Sequence, residues 1–260
     1  MFYKIFIFIL MVYMSIGSSP SFAGQGSGAE ERLLANFFGV PVGGIYVECP
    51  QKSFEIRKVK ENQELKMCLS PWDNENRCEV SIVSLPKFPT KTRISMQVKP
   101  SRETPSDRWH SILQIQTFPD KGEAWRCPPF SLETMNERFR AYSRWDTSSL
   151  SRTSGYHCTE SGSSIGAQEV ISGIPVAYGE WQSISLDMFL SPYNEEGWLS
   201  LKIGQSAATM KGGNTYNDKR LPYLKLGIYK PSGWEEQEKR AGLPNCVTYR
   251  NVKIVSLGAQ

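Results

Sequence analysis

The amino-acid sequence predicts an all-β protein, either an antiparallel sandwich or a barrel. From about residue 45 onward, short runs of alternating apolar and polar residues are separated by Pro, Gly, Asn and Asp. This pattern is typical of antiparallel strands joined by turns. No long amphipathic helix interrupts the runs, which disfavours a sheet built from alternating strands and helices. The chain is long enough for one large domain with an ample core.

Eleven segments carry the strand pattern, and two short segments carry helix signals. The predicted strands are 53–59, 64–69, 79–84, 93–99, 110–117, 130–135, 138–144, 181–188, 197–203, 224–229 and 248–255. Residues 31–38 could form one or two helical turns. Ser232 and Glu235 have the Ser-x-x-Glu spacing of a capping box, which predicts a helix that begins after Ser232, continues over 236–241 and ends at Gly242 and Pro244.

The segment 110–116 is the most informative strand. Alternation places Ser111, Leu113 and Ile115 on one face, and the opposite face carries His110, Ile112, Gln114 and Gln116. Two amides and an imidazole replace the Lys, Glu and Thr of a typical solvated strand. This face is therefore predicted to form the floor of a site for a polar ligand. The alternative is a partly buried strand whose amides bind neighbouring backbone.

A second informative strand covers residues 223–229. Leu224, Leu226 and Ile228 would face the core, and the other face would carry Tyr223, Lys225, Gly227 and Tyr229. An ammonium group can pair with a carboxylate, and a tyrosine hydroxyl can donate or accept a proton. This face would suit an anionic sugar. The alternative is a solvent-facing strand with ordinary amphipathic side chains.

Residues 1–23 have the features of a secretory signal peptide. Lys4 precedes an apolar run over 5–16, and small residues lead to Ala23. The run is shorter than the roughly 20 residues that span a bilayer. We expect cleavage after Ala23 and a secreted or periplasmic monomer, with one domain over 24–260 and no membrane attachment. An uncleaved N-terminal anchor is the alternative.

The six cysteines predict disulfides in an oxidising compartment. Cys68 and Cys78 flank a polar, turn-like segment, so a local bridge between them is the best single prediction. Sequence cannot choose among the possible pairings. We expect no metal site, because the sequence has no Cys-x-x-Cys pair and only His110 and His157 as histidines.

Charge and motif content disfavour several other classes of protein. The formal net charge of +4 is too small and too evenly spread to indicate a nucleic-acid partner, although it is compatible with an anionic substrate. The sequence has no Glu-x-Asp-x-Glu run, where a retaining glycosidase would place its two carboxylates. Its one Gly-x-Ser-x-Gly spacing, Gly162–Gly166, lies at the end of the Ser-, Thr- and Gly-rich segment 148–166, which reads as a long loop rather than as the strand-to-helix elbow of a serine hydrolase.

Several segments resemble motifs of one known family. Gln114-Ile115-Gln116, followed by 118–120, resembles the Gln-Ile-His-(x)-x-Pro-Asp segment of β-jelly-roll polysaccharide lyases. This group includes alginate lyases, glucuronan lyases and heparin-lyase-I-like enzymes. Residues 128–132 and the pair 179–181 and 197–199 resemble further strands of the family, and 223–229 is similar to its Tyr-Phe-Lys-x-Gly-x-Tyr strand. The likeness runs in order from about residue 93 to 254.

The resemblance implies a fold, a substrate class and a reaction. The fold is a concanavalin A-like jelly-roll sandwich of two antiparallel sheets, with a concave sheet that holds an acidic, uronic-acid-containing polysaccharide. Such lyases cleave by β-elimination, in which a base removes the C5 proton and an acid protonates the leaving oxygen at C4. Hydrogen bonds neutralise the uronate carboxylate, as in an oxyanion hole. The resemblance implies no metal or other cofactor.

The resemblance also implies residue roles. Gln114 matches the glutamine that contacts the carboxylate, and Tyr229 matches the tyrosine that acts as acid and, in some members, also as base. Lys225 and Tyr223 match substrate-binding residues. Arg93 is the best candidate for the arginine that the family carries on a neighbouring strand.

Gln116 departs from the family, because it stands where the motif has histidine, and an amide cannot take up a proton. Three interpretations follow. Tyr229 could perform both proton transfers while Gln114 and Gln116 grip the carboxylate. His110 could serve as base or contact substrate from the sheet rim. Finally, catalysis could be lost, which would leave a carbohydrate-binding protein; a structural envelope protein is a further alternative.

Overall fold

Two seven-stranded antiparallel sheets form a sandwich in the computed structural model of the protein. The structure describes residues 28–50, 53–73, 75–83, 91–101, 108–153, 162–193 and 195–257. The predicted signal peptide, residues 1–23, lies outside these ranges, as does His157. Within them, no helix is long and apolar enough to cross a membrane.

We call the two sheets sheet I and sheet II. In spatial order, sheet I consists of β1 (Ile45–Glu48), β4 (Arg77–Ile82), β13 (Tyr223–Tyr229), β6 (His110–Gln116), β7 (Phe130–Met135), β8 (Arg138–Trp145) and β9 (Gly166–Pro175). Sheet II consists of β12 (Ser206–Lys211), β11 (Trp198–Ile203), β10 (Gln182–Phe189), β5 (Thr92–Pro100), β14 (Asn245–Ser256), β3 (Asn62–Leu69) and β2 (Phe54–Val59). The predicted sandwich of two antiparallel sheets is confirmed.

The core lies between the sheets and follows the predicted alternation. Leu224, Leu226 and Ile228 of β13 are fully buried against residues of sheet II such as Ile94 and Val98. Each such side chain contributes about 1.5–3 kcal/mol through burial. The eleven predicted strands are present, with ends shifted by up to a few residues. The short β1 and the small or polar β9 and β12 lack the alternating pattern and were not predicted.

Tyr249 of β14 joins the two sheets at an irregular position. Its buried hydroxyl donates to the Ile112 carbonyl at 2.6 Å and accepts the Gly227 N–H at 3.0 Å. At this point β6 and β13 are out of register, because two residues of β13 lie opposite one residue of β6. The phenol satisfies backbone groups that the strand ladder leaves unpaired, which stabilises the irregularity.

Two helices are described. α1 (Gly28–Phe38) begins three residues before the predicted start and buries Leu34, Ala35 and Phe38. α2 (Glu236–Ala241) ends where predicted but begins about one turn later. Its capping box is one turn later than predicted, because Glu235 is the N-cap and its N–H donates to Glu238 Oε2 at 2.8 Å. Gly242 ends the helix with φ of 64°.

The predicted Cys68–Cys78 bridge is wrong. Cys68 bonds to Cys246, and Cys78 bonds to Cys49. The physical reason is that Cys68 lies on β3 in sheet II, whereas Cys78 lies on β4 in sheet I. The segment between them crosses from one sheet to the other, so Cys68 bonds to Cys246 on the adjacent strand β14, and Cys78 bonds to Cys49, directly after β1 of sheet I.

Candidate functional site

The outward-facing residues of sheet I form one polar surface, which we call the site face. Two rows of cross-strand neighbours define its centre. The first row, from β4 to β8, is Arg77, Tyr229, Ser111, Glu133 and Arg140. The second row, from β4 to β9, is Ser81, Lys225, Gln114, Ser131, Tyr142 and Glu169. Each row brings residues from distant parts of the chain into one line.

A bulge in β6 decides which of its residues reach the site face. The register shifts between Ser111 and Leu113, so Ser111 and Gln114 share the site face although they are three residues apart. Gln114 Nε2 donates to Ser111 Oγ at 2.8 Å. The predicted strict alternation, which put these two residues on opposite faces, is wrong at this point.

His110 does not lie beside the glutamines. It pairs with Thr134, on the side of the bulge where alternation turns its side chain away from the site face. Its side chain is buried, and Nε2 lies 2.8 Å from Thr134 Oγ1. The prediction that His110 shares a face with Gln114 and Gln116 is therefore wrong, because the extra residue at the bulge reverses the alternation.

Glu79 is the centre of a charged cluster on the site face, although only 1% of the residue is exposed. Its Oε1 accepts a hydrogen bond from Gln114 Nε2 at 2.6 Å, and its Oε2 lies 2.9 Å from Lys225 Nζ. Arg77 Nη1 lies 3.6 Å from the same carboxylate. The carboxylate thus holds three neighbouring side chains in place.

Glu48 on β1 completes this cluster. Its carboxylate lies 2.9 Å from Lys225 Nζ and 2.8 Å from Arg77 Nη1. Burial opposes ionisation, but Lys225 and Arg77 outweigh it and hold the pKa of Glu48 below its usual value. Two carboxylates therefore balance two cations, and the Lys225 ammonium is already paired on both sides.

The hydrogen bonds of Gln114 determine what this side chain can offer a ligand. Both amide hydrogens have partners, since Nε2 donates to Glu79 and to Ser111. An ionised carboxylate only accepts hydrogen bonds, so Glu79 fixes this orientation of the amide. The atom left for a ligand is Oε1, which can accept a hydrogen bond but cannot donate one to a carboxylate.

Tyr229 lies at the end of β13, between a cation and an indole. The Arg77 guanidinium carbon is 4.4 Å from the centre of its ring, and the Trp109 ring meets it edge-on at 6.5 Å. Arg77 keeps 32% of its side chain exposed. Sequence reasoning missed Arg77 and Glu79. Their strand was predicted to begin at residue 79, which left Arg77 outside and hid the alternation.

Arg93 lies far from this cluster. It belongs to β5 of sheet II, where its side chain points outward and is 47% exposed. Its guanidinium forms two hydrogen bonds with Asp187 on β10, at 2.7 Å and 2.6 Å. The prediction that Arg93 helps to neutralise a substrate carboxylate is wrong, because β5 belongs to the opposite sheet.

Tyr223 and Gln116 are paired neighbours at the other end of the site face. The Tyr223 ring packs 4.5 Å from the Phe118 ring and is almost fully buried. Burial raises the pKa of Tyr223 strongly, so its phenol stays protonated at neutral pH. Gln116 Oε1 accepts the Thr117 N–H at 2.9 Å. Among the described residues, no cluster of His, Cys, Asp and Glu could hold a metal ion.

Comparisons with known proteins show the family and the fold. A family model described as polysaccharide lyase matches residues 50–243. The endo-β-1,4-glucuronan lyase of the fungus Trichoderma reesei is similar in fold, with a TM-score of 0.60 and 14% identity over 82% of this chain and 90% of that chain. The PL-14 alginate lyase of Aplysia kurodai has a TM-score of 0.58 and 14% identity, over 89% of this chain and 95% of that chain. No curated protein matches the sequence.

Proposed function

Because the chain belongs to the polysaccharide lyase family, we propose that it cleaves a uronic-acid-containing polysaccharide by β-elimination on the site face. The observation that carries the proposal is the contact of Tyr229 with the partly exposed Arg77, 4.4 Å apart on one row. A proton-transferring phenol and a cation for the uronate carboxylate are both required, and here they are adjacent. The disulfides are compatible with the proposed export to an oxidising compartment.

Arg77 takes the role that the sequence assigned to Arg93. Its guanidinium can form paired hydrogen bonds to a carboxylate, and Glu48 and Glu79 hold it in position. As the C5 proton leaves, negative charge develops on the uronate carboxylate. A fixed guanidinium stabilises that charge without reorganisation.

Tyr229 performs both proton transfers in this proposal, because no histidine in the described ranges reaches the site face. As a phenolate, its oxygen takes the proton from C5. The C4–O bond then breaks, the C4–C5 double bond forms, and the leaving oxygen receives the proton from the tyrosine hydroxyl. The tyrosine returns to its initial state, so atoms and charge balance. Arg77 stands where it can stabilise the phenolate.

Gln114 and Lys225 have different roles from those expected from sequence. Gln114 presents Oε1, so it would accept a hydrogen bond from a sugar hydroxyl. Lys225 is 4% exposed and paired with Glu48 and Glu79, so it would hold these carboxylates in place rather than meet the substrate carboxylate. Gln116 would contact a neighbouring sugar at the edge of the site face, and Tyr223, which is 3% exposed and packs on Phe118, would support that edge from below.

A non-catalytic carbohydrate-binding protein is the second candidate. Gln116 replaces the family histidine, and His110, which could have replaced it, faces away from the site. This alternative predicts binding of an acidic polysaccharide without formation of an unsaturated product.

In the test, the purified protein is incubated separately with glucuronan, alginate, heparin, heparan sulfate and chondroitin sulfate. The ultraviolet absorbance of the unsaturated uronate measures cleavage. We expect a rise on one polymer and a loss of about 10²–10⁴-fold in rate in Tyr229→Phe. Tyr193→Phe, at an exposed surface tyrosine, is the matched control and should keep full activity. Tight binding with a flat trace on every polymer would favour the binding protein. A protein that neither binds nor cleaves any of them contradicts the proposal.

A further inference from the structure

A ladder of aromatic rings and guanidinium groups leads away from Tyr229 along the site face. The Trp109 ring is 6.5 Å from the Tyr229 ring, and the Arg140 guanidinium carbon is 6.0 Å from the Trp109 ring. Arg140 is also 5.3 Å from the Tyr142 ring, and Arg144 approaches that ring at 5.3 Å as well. The proposed elimination uses Tyr229 and Arg77 and gives no role to the other members of this ladder.

The β8 part of the ladder consists of outward residues on one strand. Arg140, Tyr142 and Arg144 alternate with Phe139, Ala141 and Ser143, which are buried in the sandwich. The three outward side chains are partly exposed. Successive outward residues on a strand lie roughly 7 Å apart. Two guanidinium groups are thus presented on the same surface, on either side of one ring.

Buried Glu133 and Ser131 fix the two arginines, and exposed Glu169 holds Tyr142. Glu133, which is 1% exposed, lies 2.9 Å from Arg140 Nε and 4.0 Å from Arg144 Nη2. Arg144 Nη1 also donates to Ser131 Oγ at 3.2 Å. The Tyr142 hydroxyl donates to Glu169 at 3.2 Å. Glu133 lies buried, whereas Glu169 is exposed beside Tyr142, so the surface offers a ligand two guanidinium groups and one carboxylate at the rim next to them.

We propose that Arg140, Tyr142 and Arg144 form an additional binding subsite for acidic sugar units of the same polysaccharide chain. The inference rests on the proposed function. It adds that the site face binds several sugar units of a long substrate at once. Tyr229 and Arg140 lie three strands apart, a distance of roughly 14 Å that more than one sugar unit must span. The guanidinium forks suit carboxylates, and the ring of Tyr142 gives a sugar an apolar face to rest on.

The test is a length series of glucuronan and alginate oligosaccharides, from trisaccharide to octasaccharide, with Arg140→Gln and Arg144→Gln. On the octasaccharide we expect kcat/KM to fall about ten-fold in each variant, the effect of one lost charged hydrogen bond. On the shortest oligosaccharide that is cleaved, it should not change. The matched control is Arg250→Gln, because Arg250 stacks on Trp181 at 4.0 Å on sheet II. It removes the same charge and should have no effect at any length.

Two results would overturn the inference. One is an equal loss on short and long oligosaccharides, which would mean that the arginines act at the cleavage point. The other is no loss at any length, or the same loss in Arg250→Gln. If Arg140→Gln does not fold, Arg144→Gln and Tyr142→Leu carry the same test.

Binding measurements separate this inference from the proposed reaction. In a Tyr229→Phe background, Arg140→Gln should weaken octasaccharide binding about ten-fold and leave trisaccharide binding unchanged. If the wild-type protein cleaves nothing but this difference is observed, the subsite stands and the lyase reaction fails. If Arg140→Gln weakens neither, or both equally, the subsite fails whatever the activity.

Discussion

Both sheets turn an outward surface away from the core, but the two surfaces treat charge differently. We call the outward surface of sheet II the back face. On the site face, Glu79 and Glu133 are 1% exposed and Lys225 is 4% exposed, although none of them points into the core. On the back face, the Arg93 side chain is 47% exposed. A charged side chain that points away from the core is therefore not necessarily exposed to solvent.

The same contact types recur on both faces with different consequences. The back face stacks Lys99 and Arg250 on Trp181, at 4.7 Å and 4.0 Å, much as the site face stacks Arg77 on Tyr229. In the solvent-exposed setting, ion pairs are screened and contribute little to stability. In the recessed setting, charges interact strongly and keep a fixed arrangement. The comparison indicates that the burial of both partners of an ion pair, as in Lys225 with Glu79, rather than residue type, distinguishes a site from an ordinary surface here.

Two loops are tied together beside one end of the site face. The chain after β6 and the chain before β13 are joined by Arg126, whose guanidinium lies 2.6 Å from Glu123 and also pairs with Asp218. All three side chains are at most 3% exposed. The Tyr216 hydroxyl donates to the Cys127 carbonyl at 2.9 Å in the same region.

The largest expected effect is on stability. It compares the loss of one carboxylate from the site face with the loss of one from the back face, in two separate variants. Glu79→Ala leaves Lys225 and Arg77 with Glu48 alone, and Gln114 loses its acceptor. We expect a loss of about 3 kcal/mol in the free energy of unfolding, at the lower end for a broken buried pair. Urea denaturation at neutral pH measures it.

The matched control on the back face is Glu64→Ala. Glu64 is also buried, but its partners Arg57 and Arg250 are partly exposed and lie 3.5 Å and 4.0 Å away. These arginines remain hydrated when the carboxylate is removed, so the loss should be about 1 kcal/mol or less. Equal losses in the two variants would contradict the distinction between the faces.

The next largest effect is on activity. It compares a variant that lacks one arginine of the site face with a variant that lacks one arginine of the back face. Arg77→Ala should lower kcat/KM about 100-fold on the preferred polymer, as expected for a lost stabiliser of developing charge. Arg93→Ala should leave activity unchanged. Arg93 and its partner Asp187 both lie on sheet II, on the other side of the sandwich from the site face. The unsaturated uronate product gives both rates. A larger loss in Arg93→Ala than in Arg77→Ala would sink the assignment of the carboxylate-binding residue.

Much of the fold followed from local patterns in the sequence. The alternation in 223–229 placed Leu224 and Ile228 in the core and Lys225 on the site face, and the structure agrees. Such patterns are reliable where one face of a strand is buried, because a slip of one residue would reverse every side chain. Tyr229 was likewise placed correctly on the face of Lys225.

The errors arose where a distant partner decides the geometry. The bulge in β6 depends on Tyr249 of the other sheet, and it turned His110 away from the site. Sequence reasoning chose Arg93, which lies on sheet II, and missed Arg77, which lies on sheet I beside Tyr229. The pairings of Cys68 and Cys78 depended on the same information. Sequence alternation assigns faces within a strand and gives no strand order between sheets.

The smallest expected effect is the pH dependence that Glu48 contributes to stability. Burial opposes its ionisation, but Lys225 and Arg77 hold its pKa below the usual value of 4.5 in the folded state. A group with a lowered pKa in the folded state stabilises the protein above its unfolded pKa, and this stabilisation is lost as the pH falls through the folded value. We therefore expect the wild-type protein to exceed Glu48→Gln in stability by a constant amount above pH 4.5, and the difference to shrink at lower pH. Urea denaturation of both proteins across this range measures it. A difference that stays constant into acid, or grows there, would mean that Glu48 is not held ionised by the two cations, and the charge balance of the site face would need another explanation.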